Sequence, residues 1–263
     1  MQGKILTIAG SDPCGGAGIQ ADIKTISALG GYAMAAITAI TVQNTRKVYK
    51  VYPVQADRVG DQIRTVLDDI MPDAIKIGMM ATAEITEVLC QIFSDYPHIP
   101  LIVDPVILST SGHQLLEKRG IDILLSDFLQ RFDLITPNLA EAALLSGMDD
   151  VCTLGDMKLA GEKILSLGAR AVLIKGGHLP GDALTDILMT PEAEYEFTGR
   201  KLVTRNTHGT GCTLASAIAT GIGQGMPMES AVARSHRYVH KAIQQAPGLG
   251  GGKGPLNHLV NLD

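Results

Sequence analysis

Lys4-Ile5-Leu6-Thr7-Ile8-Ala9-Gly10-Ser11-Asp12-Pro13-Cys14-Gly15-Gly16-Ala17-Gly18-Ile19-Gln20-Ala21-Asp22-Ile23 sets the pattern of the whole chain. A short apolar run leaves through a glycine turn and enters a helical periodicity, one half of a parallel crossover unit. The alternation continues. Strands are predicted at Lys4–Ala9, Met34–Val42, Ala74–Ile77, Leu101–Val103, Leu134–Ile135 and Ala171–Ile174. Helices are predicted at Ile19–Leu29, Ala56–Ile70, Thr82–Phe93, Gly120–Gln130, Met157–Leu167, Thr213–Gly223 and Met228–Gln245. The fold expected is a three-layer α/β/α architecture around a central, mostly parallel sheet covered on both faces. Val48–Tyr52 alternates like an edge strand and Ala183–Phe197 reads as a hairpin turning near Pro191, so a few antiparallel strands should flank the core. No repeat or linker-like break interrupts the sequence, and a single domain over residues 1–263 is expected.

Composition excludes several classes. At 263 residues and 46% hydrophobic, the chain can bury a sizeable core. Its 22 Lys+Arg against 27 Asp+Glu give a net charge of −5, and no basic run could track a nucleic-acid backbone. Aromatics at 4% with no Trp leave few stacking platforms for single strands. The four cysteines form no C-x-x-C pair, as expected of a reduced, cytoplasmic protein. Ile5–Ala9 is too short for a signal-peptide core and no segment is apolar long enough to cross a bilayer, so neither nucleic acid nor membrane is an expected partner.

Ligands of parallel α/β folds bind past the carboxyl ends of strands, where a turn feeds a helix. Gly10–Gly18 has that form, yet it lacks the Walker A lysine and the G-x-G-x-x-G fingerprint, and no acid lies between Ile23 and Ala56 to hold a ribose. An NAD-dependent oxidoreductase is thereby disfavoured. Asp22 shares a helical face with Ile19, Ile23 and Ile26, so its carboxylate needs a partner: either a protein donor or a ligand's N–H or O–H. Gln43 ends the second strand, either as a turn former or as a reader of a heterocycle's edge. Asp104 closes an apolar strand before Pro105, either shaping the turn or facing Mg2+. Asn138 and Glu141 follow Pro137, either capping a helix or serving a metal. Lys175 before Gly176-Gly177-His178 either meets a polyphosphate or snorkels to solvent.

The sharpest signal is Asn206-Thr207-His208-Gly209-Thr210-Gly211-Cys212-Thr213 ahead of a helix. Its glycines let backbone N–H groups converge on an anion, and Cys212 in the first turn either has its thiolate favoured or is a buried, inert cysteine. Other features read more plainly. Met79 and Met80 are core filler or the lining of a flat ring's pocket. His113, His236 and His240 lack a third zinc ligand, with His236 and His240 expected on a solvated helix face. Gly250 to Pro255 resembles a phosphate loop but fails its pattern, and a flexible C-terminal turn is expected ahead of the alternative, a loop closing over a nucleotide.

Taken together, Ala9 to Pro13 with Gly15 to Asp22, Gln43-Asn44-Thr45, Lys76 to Met79, Asp104-Pro105-Val106, Thr136-Pro137-Asn138, Lys175 to His178 and Asn206 to Cys212 closely resemble the hydroxymethylpyrimidine/phosphomethylpyrimidine kinases, of the ribokinase-like superfamily. The resemblance implies an ATP- and Mg2+-dependent enzyme of thiamine biosynthesis. It would phosphorylate 4-amino-5-hydroxymethyl-2-methylpyrimidine, and then that monophosphate, as a homodimer. It implies a pyrimidine site at Gly10, Asp22, Gln43, Met79 and Val106, with the substrate satisfying Asp22. It further implies an anion hole at Gly209, Thr210 and Gly211, ATP phosphates on Lys175, and Asp104, Asn138 and Glu141 around Mg2+. Where the wider superfamily carries Asp after its Gly-x-Gly, this chain has Cys212, expected to take or orient the hydroxyl proton. Pyridoxal or pyridoxine kinase, whose substrate is also a flat hydroxymethyl heteroaromatic, and a non-catalytic pyrimidine-binding module are the alternatives.

Overall fold

Nine strands form one sheet in the order β3-β2-β1-β4-β5-β6-β7-β8-β9, in a computed structural model that describes residues 2–107 and 115–262. His113 therefore lies outside the described residues. The strands are β1 (Lys4–Ser11), β2 (Tyr32–Gln43), β3 (Val48–Pro53), β4 (Ala74–Ile77), β5 (Leu101–Val103), β6 (Leu134–Ile135), β7 (Val172–Ile174), β8 (Ala183–Met189) and β9 (Glu194–Arg200). From β2 through β7 the pairings are parallel, whereas β3, β8 and β9 run antiparallel to their neighbours. The chain steps from β1 to β2 on one side and later to β4 on the other, so the strand order reverses beside β1. A crevice is expected at such a reversal.

The helices are α1 (Gly18–Ala28), α2 (Ala56–Asp69), α3 (Ala83–Ser94), α4 (Lys118–Ile123), α5 (Leu139–Ser146), α6 (Leu154–Ser166), α7 (Thr210–Gly223) and α8 (Met228–Gln244). The helix expected over Gly120–Gln130 is broken: α4 ends at Ile123, a wide turn runs from Leu124 to Phe128, and a tight one from Leu129 to Arg131. This irregular path buries Leu124, Phe128, Leu129 and Phe132, with the Phe128 and Phe132 rings edge-on at 4.7 Å.

Pleating sorts the strand side chains into two cores. Leu6, Ile8, Ile75, Ile77, Leu101 and Val103 face a layer that includes Ile63 of α2, Leu89 of α3 and Ile164 of α6. Ile5, Ala74, Ile102 and Leu134 face α1, α7 and α8 through Ile26, Ile218 and Val239. Thr7 and Lys76 alternate with these and also project toward the α1/α7 layer. Within α1, Ile23 is half exposed and the buried face comprises Ile19, Ala21, Asp22, Thr25 and Ile26. The inward stripe is thus centred on Asp22, with Ile23 at its outer edge.

The segment after Gly250 is a strap. Lys253 donates its backbone N–H to Thr45 O at 2.8 Å, and Gly254 O accepts from His208 N–H at 3.0 Å. Tyr238 OH and His258 O, 2.6 Å apart, pin the strap to α8. The expected flexible turn is therefore corrected: residues 252–258 pack against both the β2–β3 loop and the approach to α7.

Candidate active site

The carboxyl ends of β1, β4, β5, β6 and β7 converge on the start of α7. Gly209 has φ +80, a left-handed conformation that glycine adopts without strain, and a Cβ there would collide with the Gly16 carbonyl. The two glycine turns are thus packed back to back. Gly18 is equally constrained, since a Cβ would strike the Gly10 carbonyl. A Cβ built on Gly211 would come 3.1 Å from Asp104 Oδ2 and 3.2 Å from Lys175 Nζ. The head of α7 therefore lies directly on an ion pair delivered by two different strand ends.

In that pair Lys175 Nζ stands 2.6 Å from Asp104 Oδ1, which also accepts from Thr136 Oγ1 at 3.2 Å. Burial pulls the Lys175 pKa down, but Asp104 and Glu141 outweigh it and hold the ammonium charged. Glu141 is raised above the usual carboxylate range, mainly by burial and further by Asp104, while Lys175 opposes. Asn138 and Glu141 make a reciprocal cap on α5: Asn138 Oδ1 accepts from Glu141 N–H at 3.0 Å, and Glu141 Oε2 accepts from Asn138 N–H at 2.9 Å. Glu141 Oε1 accepts from Ile107 N–H at 3.2 Å. The helix-capping alternative is what these contacts express. Asp104 Oδ2 faces the α7 loop, and the carboxylates of Asp104 and Glu141 are the oxygen donors that would suit a hard cation. Thr210 directs its hydroxyl back to Thr207 O at 2.7 Å, and its backbone N–H points to the same carbonyl at 3.4 Å.

Asp22 requires a correction. Its side chain has no exposure and is satisfied within the protein: Thr7 Oγ1 at 2.5 Å, Lys76 Nζ at 2.8 and 3.0 Å, and Ser216 Oγ at 2.7 Å. The protein-donor alternative holds, and no oxygen is left waiting for a substrate. The thiolate expectation for Cys212 is also corrected. Burial pushes its thiol up to about 11, with Asp22 and Asp104 adding; Lys76 and a hydrogen bond from Gly18 N–H oppose this without prevailing. Desolvation exceeds the helix field, so Cys212 is a thiol at neutral pH.

The remaining residues expected to contact a pyrimidine lie at the ends of β1, β2 and β4, with Val106 just past β5. A Cβ on Gly10 would meet Met79 Sδ at 3.1 Å, and Thr38 Oγ1 fixes the Met79 carbonyl at 2.6 Å. Gln43 reaches His208, with Nε2 to Nε2 at 3.4 Å. Val106 and Ala81 both have positive φ, 22° and 71°; strained backbone of this kind collects at ligand sites. An open cleft of about 350 Å³ beside Met79 is lined by Val51, Pro53, Ala81, Thr82, Leu115 and Glu117.

Sequence reasoning missed Lys76 as a partner, although a lysine within the apolar run Ala74–Ile77 was the available signal. It also missed the bridge between Asp12 and His208, 2.8 Å long, joining the two glycine turns. His236 is not on a solvated face: it packs by Phe197 and lies 3.4 Å from Asp186 Oδ2, its side chain 14% exposed.

An open α/β sheet whose strand ends bring a glycine-led helix onto a lysine–aspartate pair is the architecture of the ribokinase-like small-molecule kinases. Residues 12–257 match the phosphomethylpyrimidine kinase family, and the chain belongs to it. Phosphoryl transfer to hydroxymethylpyrimidine and to its monophosphate, in thiamine biosynthesis, is the activity of that family. The chain is 43% identical over 256 residues to the hydroxymethylpyrimidine/phosphomethylpyrimidine kinase of Rhizobium meliloti, covering 97% of this chain and 96% of that protein. It is 41% identical to the thiamine biosynthesis bifunctional protein of Geobacter sulfurreducens, of whose length it spans 53%. The structure of Bacillus subtilis pyridoxal kinase as an ADP complex overlays with a TM-score of 0.90 at 34% identity, covering 98% of each chain. Among the described residues no helix is long and apolar enough to cross a membrane.

Proposed function

We propose that this chain carries out both phosphorylations with ATP, binding the aminopyrimidine between Gly10, Gln43, Met79 and Val106 and placing the transferred phosphoryl group over Gly209–Cys212. The observation that carries the reading is the approach of Gly211 to Asp104 and Lys175: one position offers backbone N–H groups, a cation and a metal-ready carboxylate. Phosphoryl transfer needs chiefly positioning and neutralisation of spread negative charge, and these groups supply both. Lys175 takes the ATP phosphates. Mg2+ fits the carboxylates of Asp104 and Glu141, and when bound it neutralises phosphate charge.

Cys212, being a thiol at neutral pH, orients the acceptor hydroxyl, whose proton passes to an oxygen of the transferred phosphoryl group as the new bond forms. The second step has a phosphate acceptor and depends less on that thiol. Incubation with MgATP and the aminopyrimidine, followed by phosphorus NMR, should show monophosphate and then diphosphate. Pyridoxal turned over faster than the aminopyrimidine under the same conditions would favour the pyridoxal kinase reading instead. Retained pyrimidine binding without ATP turnover would leave only a binding module. A homodimer is part of this proposal: the outer hairpin β2–β3 exposes Ile40, Val42 and Tyr52, 45–56% accessible, and light scattering of the purified protein tests it.

A further inference from the structure

We propose that Asp12, Cys14 and His208 form a site for one thiophilic divalent cation, with Zn2+ as the fitting ion, bridging the first glycine turn to the α7 loop. A sulfur, an imidazole nitrogen and a carboxylate oxygen from two separate loops converge there: Cys14 Sγ to His208 Nε2 is 3.5 Å, Cys14 Sγ to Asp12 Oδ2 is 3.2 Å, and His208 Nε2 to Asp12 Oδ2 is 2.8 Å. Tetrahedral zinc with ordinary bond lengths separates such ligand atoms by about 3.4–3.6 Å. The sulfur–nitrogen edge already matches, the sulfur–oxygen edge needs to open by about 0.3 Å and the nitrogen–oxygen edge by about 0.6 Å.

Hydrogen bonding leaves one contact around this cluster unserved. His208 Nε2 carries either one proton or one lone pair, so it can donate to Asp12 or accept from the Gln43 amide 3.4 Å away, but not both. A cation accepts from every ligand at once, and a turned Gln43 would present its amide oxygen as a fourth. Asp12 is already held as an outer-supported ligand is, its carboxylate accepting N–H bonds from Cys14, Gly16 and Ala17 at 2.9–3.2 Å. The thiol selects against Mg2+, which requires an oxygen cage. Binding replaces the Cys14 S–H bond by a sulfur–metal bond and releases the proton to solvent; burial and Asp12 keep that proton in place in the free protein.

Because Gln43 borders the site, the cation should compete with the pyrimidine, an extension that rests on the proposed substrate placement. The test is titration of the full chain with Co2+ without substrate, read by the thiolate-to-cobalt charge-transfer band. One ion per chain is expected, displaced by Zn2+. Cys14→Ser should abolish the band and weaken binding by about 10–100-fold or more, since losing a ligand costs at least as much as losing its outer support. That variant should keep its kinase rate in MgATP assays run with a zinc-selective chelator. No saturable band, a band unchanged in Cys14→Ser, or a band lost only in Cys152→Ser would overturn the site. A band lost in Cys14→Ser but indifferent to added pyrimidine upholds the cation site and overturns the placement of the heterocycle against Gln43.

Discussion

Lys76 Nζ lies 2.8 Å from Asp22 Oδ2 with both side chains wholly enclosed, and the pair sits on the same side of the sheet as the head of α7. A buried pair is costly to break from one side, because the remaining charge has no water to turn to. Lys76→Met should therefore cost about 3–5 kcal/mol in denaturant unfolding, and a double Asp22→Leu/Lys76→Met variant distinctly less. Equal losses in the single and double variants would mean that packing, and not the lone charge, sets the cost.

Gly211→Ala and Gly209→Ala separate chemistry from folding. At Gly211 the added methyl enters the space between the helix head and the Asp104–Lys175 pair, so turnover should fall by about 100-fold with a nearly unchanged melting temperature. At Gly209 the positive φ and the Gly16 carbonyl both oppose a side chain, and stability should fall by more than about 1 kcal/mol. Calorimetry beside steady-state rates distinguishes the two.

Cys212→Ala should slow formation of the monophosphate more than its conversion to the diphosphate. With the thiol pushed up to about 11, no ionisation of Cys212 should appear between pH 6 and 9 in the rate of alkylation, which should simply climb with hydroxide concentration. A plateau in that rate near neutral pH would show the helix field winning over desolvation after all.

Asp12 gives the acid limb. Burial alone would raise its pKa, but hydrogen bonds from His208 and Cys14 bring it down to about 2 from 3.8. A depressed carboxylate adds stability above its unfolded pKa, and that contribution is lost as pH falls through the folded value. About 2 kcal/mol should accordingly disappear between pH 4 and pH 2 in the wild-type protein. Asp12→Asn should be less stable at pH 7 and flatter across that window in urea titrations.

The strand–turn–helix alternation was legible because parallel strands buried on both faces are written as local apolar runs. The glycine turns were legible because positions such as Gly18 and Gly209 combine positive φ with a carbonyl that a Cβ would strike. What could not be read was partnership across the sequence. The position of Asp22 on an apolar stripe announces burial, yet its partners come from Thr7, Lys76 and Ser216 on three other elements. The thiol of Cys212 misled for a related reason: a helix start is a local feature, whereas the desolvation that raises its pKa comes from burial in the assembled fold. The break after Ile123 follows from fitting Phe128 and Phe132 together, which no periodicity encodes.

The strap that joins Gly254 to His208 and Lys253 to Thr45 sets an order of events during synthesis. Chains leave the ribosome N-terminus first, and the β1 to β7 framework can gather while later residues are still being added. The loop carrying His208 acquires its carbonyl partner only once residue 254 has emerged. The loop ahead of α7 is therefore completed after the β1 to β7 framework, and a chain stalled before residue 254 would be folded through much of its body yet unable to hold that loop in place.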